Sequence, residues 1–309
     1  MTGRGSQTAE VMALFRALET LESSRDPLFA DPYAERFLRP AGRLLLLLAR
    51  LKPIHRHIVR VIDRKWPGAR TSAVARTRLV DDLLRDALNN GVHQVLILGA
   101  GFDARAYRIP GIATAHVFEV DHPLTQALKI RLISRANVQS GAVTHAPIDF
   151  TSQTVDDVLR GSDFDINVRS FVLWEGVTNY LTEAAVNATL RAIAALVPAE
   201  SELFFTYVHH GILDGSLQCD GAAEILERVR QAGEPWTCGF DPSEMPAYLL
   251  ARGFTLVEDL SADEYRARYF GDAARAMKGY SFYRAVVARR SESHCSDVGN
   301  VKRSEFVDR

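Results

Sequence analysis

Cysteine is scarce in this chain: three residues in 309, Cys219, Cys238 and Cys295, odd in number and not spaced as metal pairs. That excludes a disulfide framework and a paired-cysteine metal site, and free thiols in a reducing compartment are expected. Net charge is nearly absent as well. With 37 lysines and arginines against 38 acids, no overall field gathers polyanions, and the arginines read as scattered, so nucleic acid is not an expected partner. Long apolar runs are also missing. The run Leu44 to Leu48, between Arg43 and Arg50, falls far short of the ~20 residues that cross a bilayer, and reads as a buried or lid-like helix. No secretion signal opens the sequence, so a cytoplasmic protein with no membrane partner is expected.

What is present is an ordinary globular balance, 47% hydrophobic and 24% charged, sufficient for a packed core. Apolar residues recur at helical spacing over Ala9 to Leu21, Leu28 to Phe37, Ala41 to Leu51 and Ile54 to Ile62. A longer helix is predicted over Thr71 to Leu88, stopping at Asn89, Asn90 and Gly91. Short apolar runs then alternate with helices. Strands are predicted at Gln94 to Leu98, His116 to Asp121, Val143 to Asp149, Ser170 to Glu175 and Glu202 to Val208. Helices fit between them at Pro123 to Arg135, Val155 to Arg160 and Glu183 to Val197. This alternation is the signature of a doubly wound α/β sheet, with its ligand crevice at the carboxyl ends of the strands. A helical insert (His209 to Gln231), a helix (Ser243 to Arg252) and two closely spaced strands (Phe254 to Leu260, Tyr280 to Ala288) complete it. The expected organisation is a helical lid at 1–90, a Rossmann-like core at 91–288 with an insert at 209–252, and a polar tail at 289–309.

Chemistry concentrates at the predicted strand ends. Gly99, Ala100 and Gly101 follow the first strand, where small residues let a ligand approach the backbone. With Ala104 the two glycines satisfy the dinucleotide fingerprint G-x-G-x-x-A, so a nicotinamide or flavin enzyme is one reading. Asp103 argues against it. A carboxylate there would face a negative pyrophosphate, whereas it suits the ammonium group of S-adenosylmethionine. Asp121, twenty residues after Gly101, can accept both hydroxyls of a ribose. Glu119 on the same strand is the alternative, or else a structural partner for a buried arginine. Asp149 and Phe150 suit an adenine amino group and ring, although Asp149 could equally cap the helix that follows. Glu175 leaves the apolar strand FVLWEG, a costly place for a carboxylate unless it is paired or serves a site.

In this order the segments resemble the leucine carboxyl methyltransferase family, including its bacterial polyketide carboxyl O-methyltransferase branch. The resemblance runs roughly from Thr8 to Ala288. It is carried by RALETLESSRDPLFADPYAERF, ARTRLVDD, ILGAGFDARAYR, FEVDHPLTQALK, Asp149 and FVLWEGVTNYL. It implies a seven-stranded class I methyltransferase sheet that uses S-adenosylmethionine and releases S-adenosylhomocysteine. It further implies Arg76 as partner of the cofactor carboxylate, Gly99 and Gly101 along its methionine part, Asp121 on the ribose, Asp149 and Phe150 around adenine, and Glu175 near the ammonium. Many relatives have Leu where this chain has Phe150, a change that preserves apolar packing. Arg78, Arg105 and Arg108 read as surface residues.

A small organic acid is the expected acceptor, because a carboxylate is already ionised at neutral pH and needs orientation rather than a base or a metal. A phenol or alcohol would need a base, for which His209 and His210 are placed after the fifth strand. Tyr180, Tyr207, the insert and the amino-terminal helices are expected to line the acceptor pocket. A nonenzymatic ligand-binding domain of the same fold is the remaining class.

Overall fold

The computed structural model describes residues 7–134, 141–148 and 153–292. Strand β1 (Gln94–Leu98), inside the sheet, is buried at all five positions. An uninterrupted apolar run of this kind needs cover on both faces, which parallel neighbours and crossover helices supply. The remaining strands are β2 (His116–Asp121), β3 (Val143–Pro147), β4 (Ser170–Trp174), β5 (Glu202–Val208), β6 (Phe254–Ser261) and β7 (Tyr283–Arg290). They form one sheet in the order β3-β2-β1-β4-β5-β7-β6. The first five are parallel, with Val95 opposite Val117 on one side and Phe171 on the other. β7 enters antiparallel between β5 and β6. The strand order reverses between β1 and β4, the position at which sheets of this kind take their ligands.

Twelve helices surround the sheet among the described residues. The cap is built from α1 (Gln7–Thr20), α2 (Pro40–Ala49) and α3 (Lys52–Lys65). Helix α4 (Ala69–Asn89), assigned to the lid by the sequence, instead shares an apolar cluster with the sheet, its Leu79, Val80 and Leu84 meeting Val95 and Ile97. The others are α5 (Arg105–Arg108), α6 (Pro123–Ser134), α7 (Val155–Arg160), α8 (Glu183–Leu196), α9 (Gly211–Asp214), α10 (Ala222–Gln231), α11 (Met245–Leu250) and α12 (Ala262–Phe270).

Four differences from the sequence reading have local causes. Leu28 to Phe37 is helical only over a short turn, Ala34–Phe37. Asp31 takes the amides of Tyr33 and Ala34 at 3.0 Å, so its side chain competes with a longer helix. Helix α12 was missed, although Ser261 and Glu264 form a reciprocal capping box at its start. Arg289 and Arg290, placed in the tail, close β7 against Glu202 and Phe254. Of the two readings of the leucine run, the cap helix stands and the buried one does not: Leu46 is covered, whereas Leu44, Leu47 and Leu48 are 59%, 55% and 45% exposed.

Candidate active site

The glycine turn lies at the sheet's switch point. The amides of Gly99 and Ala100 both donate to the carbonyl of Val120, at 2.8 and 3.2 Å, tying the turn to β2. Gly99 has φ +66°, and a Cβ there would overlap Val177 of the loop after β4, so only glycine fits. Gly101 donates its amide to the carboxylate of Asp121, whose other oxygen takes the amide of His122 at 2.6 Å. Burial pushes the Asp121 carboxyl above its usual range, with the two amides pulling the other way. Helix α1 covers the turn. Arg16 donates to the carbonyl of Phe102 at 2.6 Å, and Phe102 stacks on Phe37 with 4.9 Å between centroids.

Beside the turn is a cluster of buried ions. Arg76, from α4, donates Nε to Glu175 at 2.6 Å, and its guanidinium lies 4.8 Å from the ring centre of Tyr283. Its terminal nitrogens donate to no oxygen among the described residues; Nη2 lies 4.0 Å from Met12 Sδ. Arg105 joins three acids: Asp81 at 2.9 Å, Asp103 at 2.5 Å and Glu175 at 3.0 Å. Arg108 doubles onto Asp81 at 2.6 and 2.8 Å. Burial alone would raise Asp103 and Glu175. The surrounding cations overcome it, Arg105 foremost at both, holding Asp103 at about 2 and Glu175 below its ordinary value. The surface reading of Arg105 and Arg108 is therefore corrected; their side chains are only 4% and 5% exposed. Arg78 does pair at the surface, with Asp82.

Glu119 has a structural partner, but it is Lys129 of α6 at 2.7 Å rather than an arginine, and both are buried. Asp149 and Phe150 lie outside the described residues.

On the far side of Glu175 an aromatic cluster rises towards the insert. Tyr180 meets Trp236 edge-on at 6.5 Å, and Trp236 meets Tyr283 at 6.2 Å. Tyr283 hydroxyl lies 3.2 Å from Thr206 Oγ1, which accepts the amide of Gly176 at 2.8 Å. The sequence reading included Tyr180 but missed Trp236 and Tyr283; only the tertiary fold brings Tyr283 against Arg76 and Trp236 against Tyr283. Tyr207 is corrected. Alternation along β5 turns it to the opposite face, where it is fully buried and bonds Asp259 at 2.6 Å. His209 is tied into its own loop. Its Nδ1 accepts the amide of Gly211 at 3.0 Å, which closes the turn into α9 and leaves the proton of a neutral ring on Nε2. His210 is exposed, 3.4 Å from Asp214.

The sheet order, the glycine turn and the acid at the end of β2 define the Rossmann-like fold of class I S-adenosylmethionine-dependent methyltransferases. The solved structures agree on the fold. A DUF574 family protein from Streptomyces avermitilis superposes with TM-score 0.59 at 14% identity, covering 89% of this chain and 96% of the other. A protein from Thermobifida fusca described as a candidate methyltransferase gives TM-score 0.55 at 19% identity, covering 94% and 96%. The leucine carboxyl methyltransferase family model matches residues 9–194, and the chain belongs to that family. A Mycobacterium relative, named as a candidate S-adenosyl-L-methionine-dependent methyltransferase, is 31% identical over 80% of this chain and 83% of its own length. Similarly named proteins of Mycobacterium bovis (31% identical, 76% of this chain) and Bacillus subtilis (29%, 64%) also match. The chain spans just under two-thirds of these two relatives, 65% and 66% of their lengths.

Proposed function

We propose that this protein is an S-adenosylmethionine-dependent O-methyltransferase that esterifies a carboxylate of a small organic acid. The observation that carries the reading is the pairing of Arg76 with Glu175 at 2.6 Å beside the glycine turn. A ligand that ends in both a carboxylate and an ammonium needs a cation and an anion side by side, and this donor set fits it. The unengaged nitrogens of Arg76 would hold the carboxylate, Glu175 and Asp103 would face the ammonium, and Gly99, Ala100 and Gly101 would line the chain between. Asp121 would take the ribose hydroxyls, with Asp149 and Phe150 around adenine. When bound, the donor supplies a methyl group made electrophilic by its sulfonium.

The acceptor follows from what the site's acids are able to do. Asp103 and Glu175 are held below the usual carboxylate range, which makes them poor bases towards a hydroxyl. Tyr180 is pushed above its usual phenol range, first by burial, so it stays protonated. The Nδ1 of His209 is already engaged. An acceptor that arrives ionised needs none of these groups. The work left to the protein is to orient that oxygen against Tyr180, Trp236 and Tyr283 and to exclude water beneath α1.

Calorimetric titration tests the cofactor assignment. S-adenosylmethionine should bind and NADPH should not; the reverse would overturn it. Incubation with a panel of small acids should then consume donor, and a binder that turns over none of them would be a ligand-binding domain instead.

A further inference from the structure

We propose that the α2–α3 hairpin docks the protein onto the surface of an anionic phospholipid bilayer. The inference is independent of the methyl-transfer reading. Between positions 39 and 65 the chain carries eight lysines and arginines and one acid, Asp63, in a protein with 37 basic and 38 acidic residues overall. The arginines that look scattered along the sequence are gathered here by the helix. Asp63 is already paired with Arg70, and the acids Glu10 and Glu35 each hold one cation at the edge, Arg39 and Arg50. Along α3, Lys52, Arg56, Arg60 and Arg64 recur every four residues, all exposed. None of the four has a hydrogen-bond or ion-pair partner among the described residues. The result is a row of cations along one ridge, none of them ion-paired, with Glu22 lining the same surface hollow as Arg56, Arg60 and Arg64.

The same hairpin also carries uncovered apolar surface. Leu44, Leu47, Leu48 and Leu51 follow the spacing of one helical face along α2 and the turn after it, and are 45–60% exposed; Val61 of α3 adds a further 46% exposed position. Exposed apolar residues and unpaired cations on one helical hairpin match what an interfacial element needs: side chains to enter the acyl boundary and charges to meet lipid phosphates. No helix among the described residues is long and apolar enough to cross a membrane, so this is docking, not insertion. A second copy docked face to face would set cation row against cation row. A protein partner is less well matched, because interface cores favour aromatics and methionine as anchors, and this stripe offers leucines alone.

Flotation with phosphatidylcholine vesicles, with and without about one-third phosphatidylserine, tests the proposal. The full chain should rise with the serine-containing vesicles only, and should be released at ~1 M salt, where screening acts within about 3 Å. Arg56→Ser/Arg60→Ser/Arg64→Ser should reduce binding roughly a hundredfold, and Leu47→Ser/Leu51→Ser at least about tenfold, with thermal unfolding unchanged because all five side chains are exposed. No flotation of the wild-type chain would overturn the proposal. So would flotation that neither variant diminishes, or capture of an acidic protein by a chain that ignores both vesicles.

Discussion

The two sides of the glycine turn handle buried carboxylates differently. Towards β4, Asp103 and Glu175 are gripped by Arg105, and Glu175 by Arg76 as well; burial is outweighed and both acids are held ionised. Towards β2, Asp121 has two backbone amides and, among the described residues, no cation at ion-pair distance, so burial prevails and its carboxyl rises. The first arrangement favours folding at neutral pH, and under the proposed function it would also serve recognition. The second opposes folding, which is understandable where a strained charge serves a ligand.

The strongest way to break this contrast is Arg105→Met. It leaves Asp81, Asp103 and Glu175 each short of a buried partner, and should cost about 3–5 kcal/mol in denaturant unfolding. A loss below ~1 kcal/mol would show that the cluster contributes little to the fold. Arg76→Ala should do less to the fold, since Glu175 keeps Arg105 at 3.0 Å. Its effect should appear in donor affinity, weakened at least tenfold for a charge-assisted contact worth about 1.5–3 kcal/mol.

Acid should dissolve the first side. The folded-state pKa of Asp103 is about 2 against an ordinary 3.8, so its contribution is present above pH ~4 and is lost as pH falls towards about 2. The loss is about 2 kcal/mol, read as a falling unfolding free energy that Asp103→Asn should flatten. On the other side, Asp121→Asn should weaken donor binding about tenfold while changing stability by less than ~1 kcal/mol, because relief of a buried charge offsets one lost amide bond. A variant that is strongly destabilised with unchanged affinity would reverse the roles assigned to the two sides.

Much of this could be read in the sequence because local rules act there. Gln94–Leu98, His116–Asp121 and Glu202–Val208 were bounded to the residue, since buried parallel strands leave unbroken apolar runs between turn residues. The turn and its two acids followed from position alone. What escaped depends on contacts distant in sequence. Arg105 and Arg108 resemble surface arginines until α4 brings Asp81 against them. Tyr283 became a site residue only when β7 paired with β5, and Tyr207 was lost to the site by the alternation of that same strand. In α12 the local signal does exist, since Ser261 and Glu264 form a capping box, but Ser261 also ends β6 and the strand pattern runs directly into it.

The central claim is that the group transferred ends on a carboxylate oxygen. S-adenosylmethionine labelled in its methyl group, incubated with the protein and an acceptor acid, should yield labelled product that releases its label as methanol in mild alkali. Label that resists alkali would place the methyl on a hydroxyl as an ether and contradict the account.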